Sequence, residues 1–280
     1  MSVKNRFYKT KRPNSLAARR RRARVMSGIL ILIIFATAIF GLSWFLSQPF
    51  VVINNLTVSG NSLVTASDII TAVKNILADS YLGLFTKNNI FIYPEKTIRQ
   101  TLTATFPAIK DIRGNIKSWQ TLQLSVEERA PFALWCPSID STDCFYLDDN
   151  GLIFSAAAVF SDSIFLKFAG GQISASSSPI GKNFLPSDEF RRLNFFLDSL
   201  ASLSLIPASL ATNIDEYQIY LKNGGRLIIS IADDLSKVLE NIETILRSDN
   251  LKKALARGGA IDYIDLRYGN KVFYKFKSNN

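Results

Sequence analysis

MSGILILIIFATAIFGLSWFLS occupies residues 26–47, and none of these 22 residues carries a charge. With a rise of 1.5 Å per residue, a helix over this stretch is about 33 Å long, which matches the roughly 30 Å hydrocarbon core of a bilayer. Trp44 and Phe45 suit the membrane interface at its far end, where Gln48 and Pro49 end the helix. We therefore predict one transmembrane helix over 26–47.

The positive charge of the chain is concentrated before this helix. Ten of the 33 Lys and Arg residues lie in residues 1–25, which contain no acidic residue, so the rest of the chain balances 23 basic against 23 acidic residues. Positively charged flanks stay in the cytoplasm, which predicts a cytoplasmic tail over 1–25 and an extracytoplasmic remainder. The neutral remainder argues against a nucleic-acid-binding body. The arginines expected to orient the helix are Arg19, Arg20, Arg21, Arg22 and Arg24.

Two alternatives stay open for this region. A basic start, an apolar run and the triplet Ala36-Thr37-Ala38 also resemble a cleaved signal peptide, although the apolar run continues to Leu46 and is longer than a signal core. The tail can attract anionic lipid headgroups, or it can recruit a cytoplasmic partner or nucleic acid.

Residues 50–127 have the pattern of a small β-α-α-β-β module. An apolar, β-branched run ends at Ser59-Gly60-Asn61, and Thr65 with Asp68 marks the start of a helix. A second helix is expected from Pro94 to before Pro107. Strands follow over 109–117 and 121–126. This order predicts helices on one face of a three-stranded sheet.

Residues 128–276 are rich in predicted strands. The dipeptide Asn150-Gly151 between apolar runs indicates a hairpin, and helical patterns cover 188–203 and 233–247. We expect an antiparallel β domain with one or two packed helices and a short tail over 277–280. The predicted fold class is α+β: the transmembrane helix, the small module, then the β domain.

The residue types argue against an enzyme. The chain has no histidine, which excludes Ser-His-Asp and Cys-His catalytic groups. Glu127 and Glu128 are adjacent on a strand and point to opposite faces, so they cannot act jointly on one substrate; with Arg129 they are better explained as a structural link between the two domains. Asp148 and Asp149 suit a turn. We expect no catalytic residue, cofactor or metal, although a Ser-Lys dyad stays open.

Cys136 and Cys144 flank a loop between two candidate strands. Facing positions in a hairpin come close to disulfide distance, and a bridge persists outside the cytoplasm. We predict a disulfide in preference to two free thiols.

Five segments, taken together, resemble the FtsQ/DivIB cell-division family. Their order and spacing behind a basic tail and one anchor carry the resemblance, which spans the anchor and nearly all of the exterior. They are LTVSGN at 56–61, FPAIKDI at 106–112, VEERAPFA at 126–133, YLDDNGLIF at 146–154 and IDLRY at 264–268. The resemblance implies that the small module is a POTRA domain. It also implies a non-catalytic scaffold at the division septum, upstream of the septal peptidoglycan synthase.

The resemblance further implies a partner site in the last strands. There an FtsB- or DivIC-like coiled-coil membrane protein would lay an added strand on the sheet edge. An FtsL-like protein would be recruited together with it. The septal peptidoglycan synthase is a further candidate partner. The alternative is an ordinary closing strand protected by Lys271, Lys275 and Lys277. The residues carried over to this site are Tyr263, Asp265, Arg267, Tyr268, Val272, Phe273, Tyr274 and Phe276.

Two other functions stay open from the sequence. A POTRA-bearing component of protein export or envelope assembly would bind extended polypeptide by the same strand addition. Export proteins of this kind usually carry tandem POTRA domains or a membrane barrel, which this pattern lacks. A membrane-tethered wall hydrolase would need a convergent acid and base, which the residues do not supply.

Overall fold

The computed structural model describes residues 16–158, 164–248 and 261–277, apart from 82, 84, 172, 174–177 and 270. The first fifteen residues of the predicted basic tail and residues 278–280 of the predicted C-terminal tail lie outside the described residues. So does Asn270, the residue before the last strand in the sequence.

The apolar segment lies within one long helix, α1, which spans Leu16–Leu46. The helix extends past the N-terminal end of the predicted span 26–47, because the arginine-rich residues before Met26 are helical as well. Arg and Ala are good helix formers, so they extend the apolar helix without a break. Within the described ranges, Arg19–Leu46 is the one helix that is long and apolar enough to cross a membrane.

A small α/β unit follows, with a three-stranded sheet in the order β1-β5-β4. Its strands are β1 (Asn55–Ser59), β4 (Ile109–Ser118) and β5 (Thr121–Glu128), and its helices are α2 (Ala66–Leu77) and α3 (Glu95–Thr105). The predicted β-α-α-β-β order is present. A short hairpin, β2 (Ser80–Tyr81) with β3 (Phe85–Thr86), lies between the helices and was not predicted.

Both helices of the small unit pack on one face of its sheet. Ile69 and Val73 of α2 and Leu102 of α3 are buried against Leu122 and Leu124 of β5. The Thr65 hydroxyl accepts a hydrogen bond from the Asp68 N–H and caps α2.

Among the described residues, the large unit contains nine strands in one sheet, ordered β14-β13-β12-β11-β10-β9-β6-β7-β8. The same described residues form two helices that accompany the sheet, α4 (Ser187–Ser202) and α5 (Leu235–Leu246). The strands are β6 (Ala133–Cys136), β7 (Phe145–Leu147), β8 (Ile153–Ala156), β9 (Lys167–Gly170), β10 (Pro207–Thr212), β11 (Glu216–Leu221), β12 (Gly225–Ser230), β13 (Ile261–Tyr268) and β14 (Lys271–Phe276).

The prediction of an antiparallel sheet is wrong, because this sheet is mixed. Strand β9 runs parallel to β6 and to β10, and β12 runs parallel to β13. The helices explain two of these pairs: α4 connects β9 to β10 and α5 lies between β12 and β13, so the chain returns to the same end of the sheet before each next strand.

The two helices lie on the same face of the large sheet. Phe190 and Leu197 of α4 and Ile242 of α5 share one core with Ile229 of β12 and Ile264 of β13. The second face has a smaller apolar cluster around Leu134, Cys136 and Cys144. Residues alternate between these faces along each strand, as in Leu134 and Trp135, whose side chains join different clusters.

Candidate functional site

Strand β14 lies at one end of the large sheet and pairs with β13 in an antiparallel hairpin. The pairing sets Ile264 opposite Tyr274 and Asp265 opposite Phe273. Within residues 16–248 and 261–277 as described, no strand pairs with the other side of β14. In this part of the chain, the outward backbone groups of β14 therefore form an open sheet edge.

The opposite end of the same sheet is occupied. The Ile153 N–H of β8 donates to the Lys182 carbonyl at 2.9 Å, and the Gly181 N–H donates to the Ile153 carbonyl at 2.7 Å. The described part of the chain supplies no such bonds to the outer side of β14. Among the described residues the two edges thus differ, and β14 is the one without a backbone partner on its outer side.

The side chains of β14 alternate between the two faces. Val272 packs against the main core, and Tyr274 follows it on the helix-bearing face. Phe273 lies on the other face, is 52% exposed and meets the Tyr268 ring edge to face at 5.3 Å. Tyr274 and Phe276 make a similar contact at 5.7 Å. Apolar rings are therefore partly exposed on both sides of the open edge.

Asp265 and Arg267 form an ion network beneath this edge. An Arg267 guanidinium nitrogen lies 2.6 Å from an Asp265 carboxylate oxygen, and another lies 2.7 Å from Glu216 on β11. Asp265 is only 7% exposed, whereas the Arg267 side chain is partly exposed. The network ties β13 to β11 across β12, so it stiffens the strand that supports β14.

The network also changes the acidity of its members. The hydrogen bond from Arg267 lowers the pKa of Asp265 below its ordinary value. The Gln218 amide, followed by weaker effects that include Arg267, lowers the pKa of Glu216. Both carboxylates are thus held ionised.

All eight residues of the predicted partner site lie on the β13–β14 hairpin. Tyr263 is half-buried, with Arg226 and Lys275 as its strand neighbours. Lys275 lies 3.8 Å from Asp262, a loose pair at the surface. Glu216 was missed by the sequence reasoning, because it is distant in sequence and only the strand order brings it to Arg267.

Cys136 and Cys144 are joined by a disulfide, with their Sγ atoms 2.03 Å apart. The bond lies in the apolar cluster on the helix-free face, near Leu134, Tyr146 and Phe165. It closes the loop between β6 and β7.

The charged residues at the junction of the two units have separate roles. The Glu128 carboxylate accepts the backbone N–H groups of Ser62, Leu63 and Val64 at 2.8–3.0 Å. Arg129 instead bonds Asp148 at 2.5 Å and connects the small unit to the first hairpin of the large one.

Glu127 lies 3.2 Å from Lys110 on the neighbouring strand β4. Of the three residues expected to link the units, Arg129 therefore makes the link, while Glu127 and Glu128 make contacts within the small unit.

The arginines expected to orient the anchor, Arg19–Arg22 and Arg24, are all exposed on the first turns of α1. The described residues contain no group of three or more His, Cys, Asp or Glu side chains placed to hold a metal ion. No family model matches this chain, and no curated protein matches it.

Proposed function

We propose that this chain is a non-catalytic scaffold of the bacterial division machinery, similar in role to FtsQ/DivIB. It binds FtsB/DivIC-like and FtsL-like membrane proteins at the septum and links early division proteins to late ones, including the septal peptidoglycan synthase. The observation that carries this proposal is the open edge at β14, because a scaffold without catalytic groups acts through its binding surfaces.

The proposal takes α1 as a single membrane span with a cytoplasmic N-terminus. The arginine cluster at its start supports this orientation through the preference of positive charge for the cytoplasmic side. The two sheet units are then extracytoplasmic, and the Cys136–Cys144 disulfide suits an oxidising compartment.

The small unit is proposed to be a POTRA domain. Support comes from the order β1, α2, α3, β4, β5, with β1 parallel to β5 and both helices on one face. In this proposal the unit holds the large sheet at a set position relative to the membrane.

Strand addition is the proposed binding mechanism at β14. An extended partner segment would bond the outward N–H and C=O groups of β14 and place alternate side chains on the two faces. On one face it meets Tyr274, and on the other it meets Phe273 with Tyr268. The backbone bonds give affinity, and the rings select apolar partner side chains.

The first test is location. A fluorescent fusion to the cytoplasmic tail is imaged in dividing cells. A midcell band that appears before constriction supports the division scaffold. An even envelope distribution throughout the cycle would refute it and favour the envelope-assembly alternative.

The second test removes the edge. Deleting residues 270–280 should abolish capture of the FtsB-like partner. Deleting only 278–280, which lie beyond β14, is the matched control and should leave capture intact. Retained binding after the longer deletion would place the contact elsewhere.

A further inference from the structure

Four aromatic side chains form a row in space that begins at the end of α1 and continues onto the small unit. Phe45 contacts Phe50 edge to face at 5.8 Å, and Phe91 contacts Trp119 in the same way at 5.8 Å. A shallow hollow lined by Phe50 and Trp119 lies between the two pairs. We call Phe45, Phe50, Phe91 and Trp119 the aromatic patch.

Hydrogen bonds hold this part of the small unit against the end of the helix. The fully buried Asn89 side chain donates to the Leu46 carbonyl at 2.6 Å, and the Gln120 side chain donates to the Pro49 carbonyl at 2.9 Å. Asn89 lies two residues before Phe91, and Gln120 follows Trp119. The patch therefore keeps a defined position beside the last turn of α1.

The length of α1 sets the level of this turn in a bilayer. With Arg24 in the cytoplasmic headgroups, residues 26–46 cover about 31 Å, which is the thickness of the hydrocarbon core. Leu46 then lies at the outer boundary of the core. Groups bonded to Leu46 and Pro49 lie at the level of the outer headgroups.

The patch is unusually exposed for apolar rings. Trp119 is 64% exposed and Phe91 is 56% exposed, although both belong to a unit with its own closed core. Trp119 lies at the tip of the β4–β5 hairpin, beside the exposed Ile116 and Lys117. Aromatic rings favour the membrane interface, and a lysine there can reach lipid phosphates while its stem stays apolar.

We propose that the aromatic patch inserts into the outer headgroup region, so that the small unit is docked on the bilayer. The partner surface is lipid, because the patch continues directly from the end of the membrane-spanning helix and is held there by Asn89 and Gln120. This inference rests on the proposed membrane span of α1. It adds a second membrane contact, made by the folded unit.

The three tryptophans of the chain allow a direct test. Trp44 is in the anchor, Trp119 is in the patch, and Trp135 is buried in the large sheet. The full chain is reconstituted into phosphatidylcholine nanodiscs, with or without bromine on the lipid chains near the carbonyl groups. Bromine quenches tryptophan emission on contact. The variants are W44F, W119F and W44F/W119F.

The emission of Trp119 is obtained by subtracting the emission of W44F/W119F from that of W44F. Docking predicts that brominated lipid removes most of this Trp119 emission. The same emission should resist quenching by iodide in the water. The double variant, which retains only Trp135, should be unaffected by bromine. W119F should be quenched through Trp44, which reports insertion of the anchor.

Two results separate failure of this inference from failure of the anchor. If brominated lipid quenches the emission of W119F but not that of W44F, the span is correct but the patch faces water, and docking is refuted. If neither W119F nor W44F is quenched, the membrane span itself is refuted. Circular dichroism of each variant checks that it is folded.

Discussion

Proline substitutions on β14 test strand addition at the level of single backbone groups. In a strand, the N–H groups of neighbouring residues point to opposite sides, so one of Phe273 and Tyr274 donates towards β13 and the other towards the open edge. F273P and Y274P each remove one donor. Proline is tolerated in an edge strand where the lost N–H faced solvent.

The two variants should therefore behave differently. The proline that removes a bond to β13 should lower the free energy of unfolding by about 1–3 kcal/mol. The outward proline should leave unfolding nearly unchanged but remove one intermolecular bond and leave a partner carbonyl unsatisfied. That loss is about 1.5–3 kcal/mol, or roughly a tenfold to hundredfold rise in Kd.

Alanine variants separate the backbone from the rings. F273A and Y274A lose the same side chains but retain their N–H groups, so each is the control for its proline. Unfolding is followed in urea, and Kd is measured by fluorescence anisotropy with the labelled extracytoplasmic segment of the FtsB-like partner. If the outward proline binds the partner as well as its alanine control does, strand addition on this edge is refuted.

Three further predictions concern the stability of the folded units, each measured by urea unfolding of the full chain in detergent. Replacing Cys136 and Cys144 by Ser should lower the free energy of unfolding by about 2.5 kcal/mol, because the disulfide closes a loop with a sequence separation of 8; equal stability of the reduced and oxidised wild type would contradict this. E128Q should destabilise by about 1–3 kcal/mol through loss of charge-assisted bonds to backbone N–H groups, whereas the exposed E127Q, its control, should change little. Burial alone would raise the pKa of Glu128, but those N–H groups lower it below its ordinary value. The Glu128 carboxylate therefore stabilises the fold above the unfolded pKa of about 4.3, and this stabilisation is lost as pH falls through the folded pKa. E128Q should for this reason reduce the acid sensitivity of unfolding. An identical pH profile of wild type and E128Q would contradict the role given to Glu128.

The sequence predicts most helices and strands correctly, because their apolar spacing is local. The apolar stripe of α5, for example, gives the helix and its buried face directly. Strand β10 was missed: Pro207–Thr212 reads PASLAT, which has little β propensity. It is a strand because β9 and β11 supply hydrogen bonds on both sides.

Strand direction could not be read from these local patterns. Alternation shows which side chains face the core but carries no information on whether the neighbouring strand is parallel or antiparallel. The mixed sheet depends on where α4 and α5 return the chain, which is a property of the whole unit.

The candidate site could be predicted only in part, because local patterns do not show which distant residues meet. The apolar residues of β14 and the turn glycine before it predict a strand here, and the resemblance adds an edge. The fixation of β13 by Glu216 was not predictable, since Glu216 and Arg267 are 51 residues apart. Likewise, nothing local marks Asn89 as the residue that holds the end of α1.

Under the proposed function, these contacts would let an edge strand act as a scaffold. Asn89 and Gln120 fix the small unit to the end of α1, and Arg129 connects that unit to Asp148 of the large one. Asp265, Arg267 and Glu216 then stiffen the strand beside β14. A partner anchored in the same membrane would therefore meet β14 in a restricted set of positions. Restriction before binding lowers the entropy lost on association, so a short strand can suffice where a freely tethered one would bind weakly.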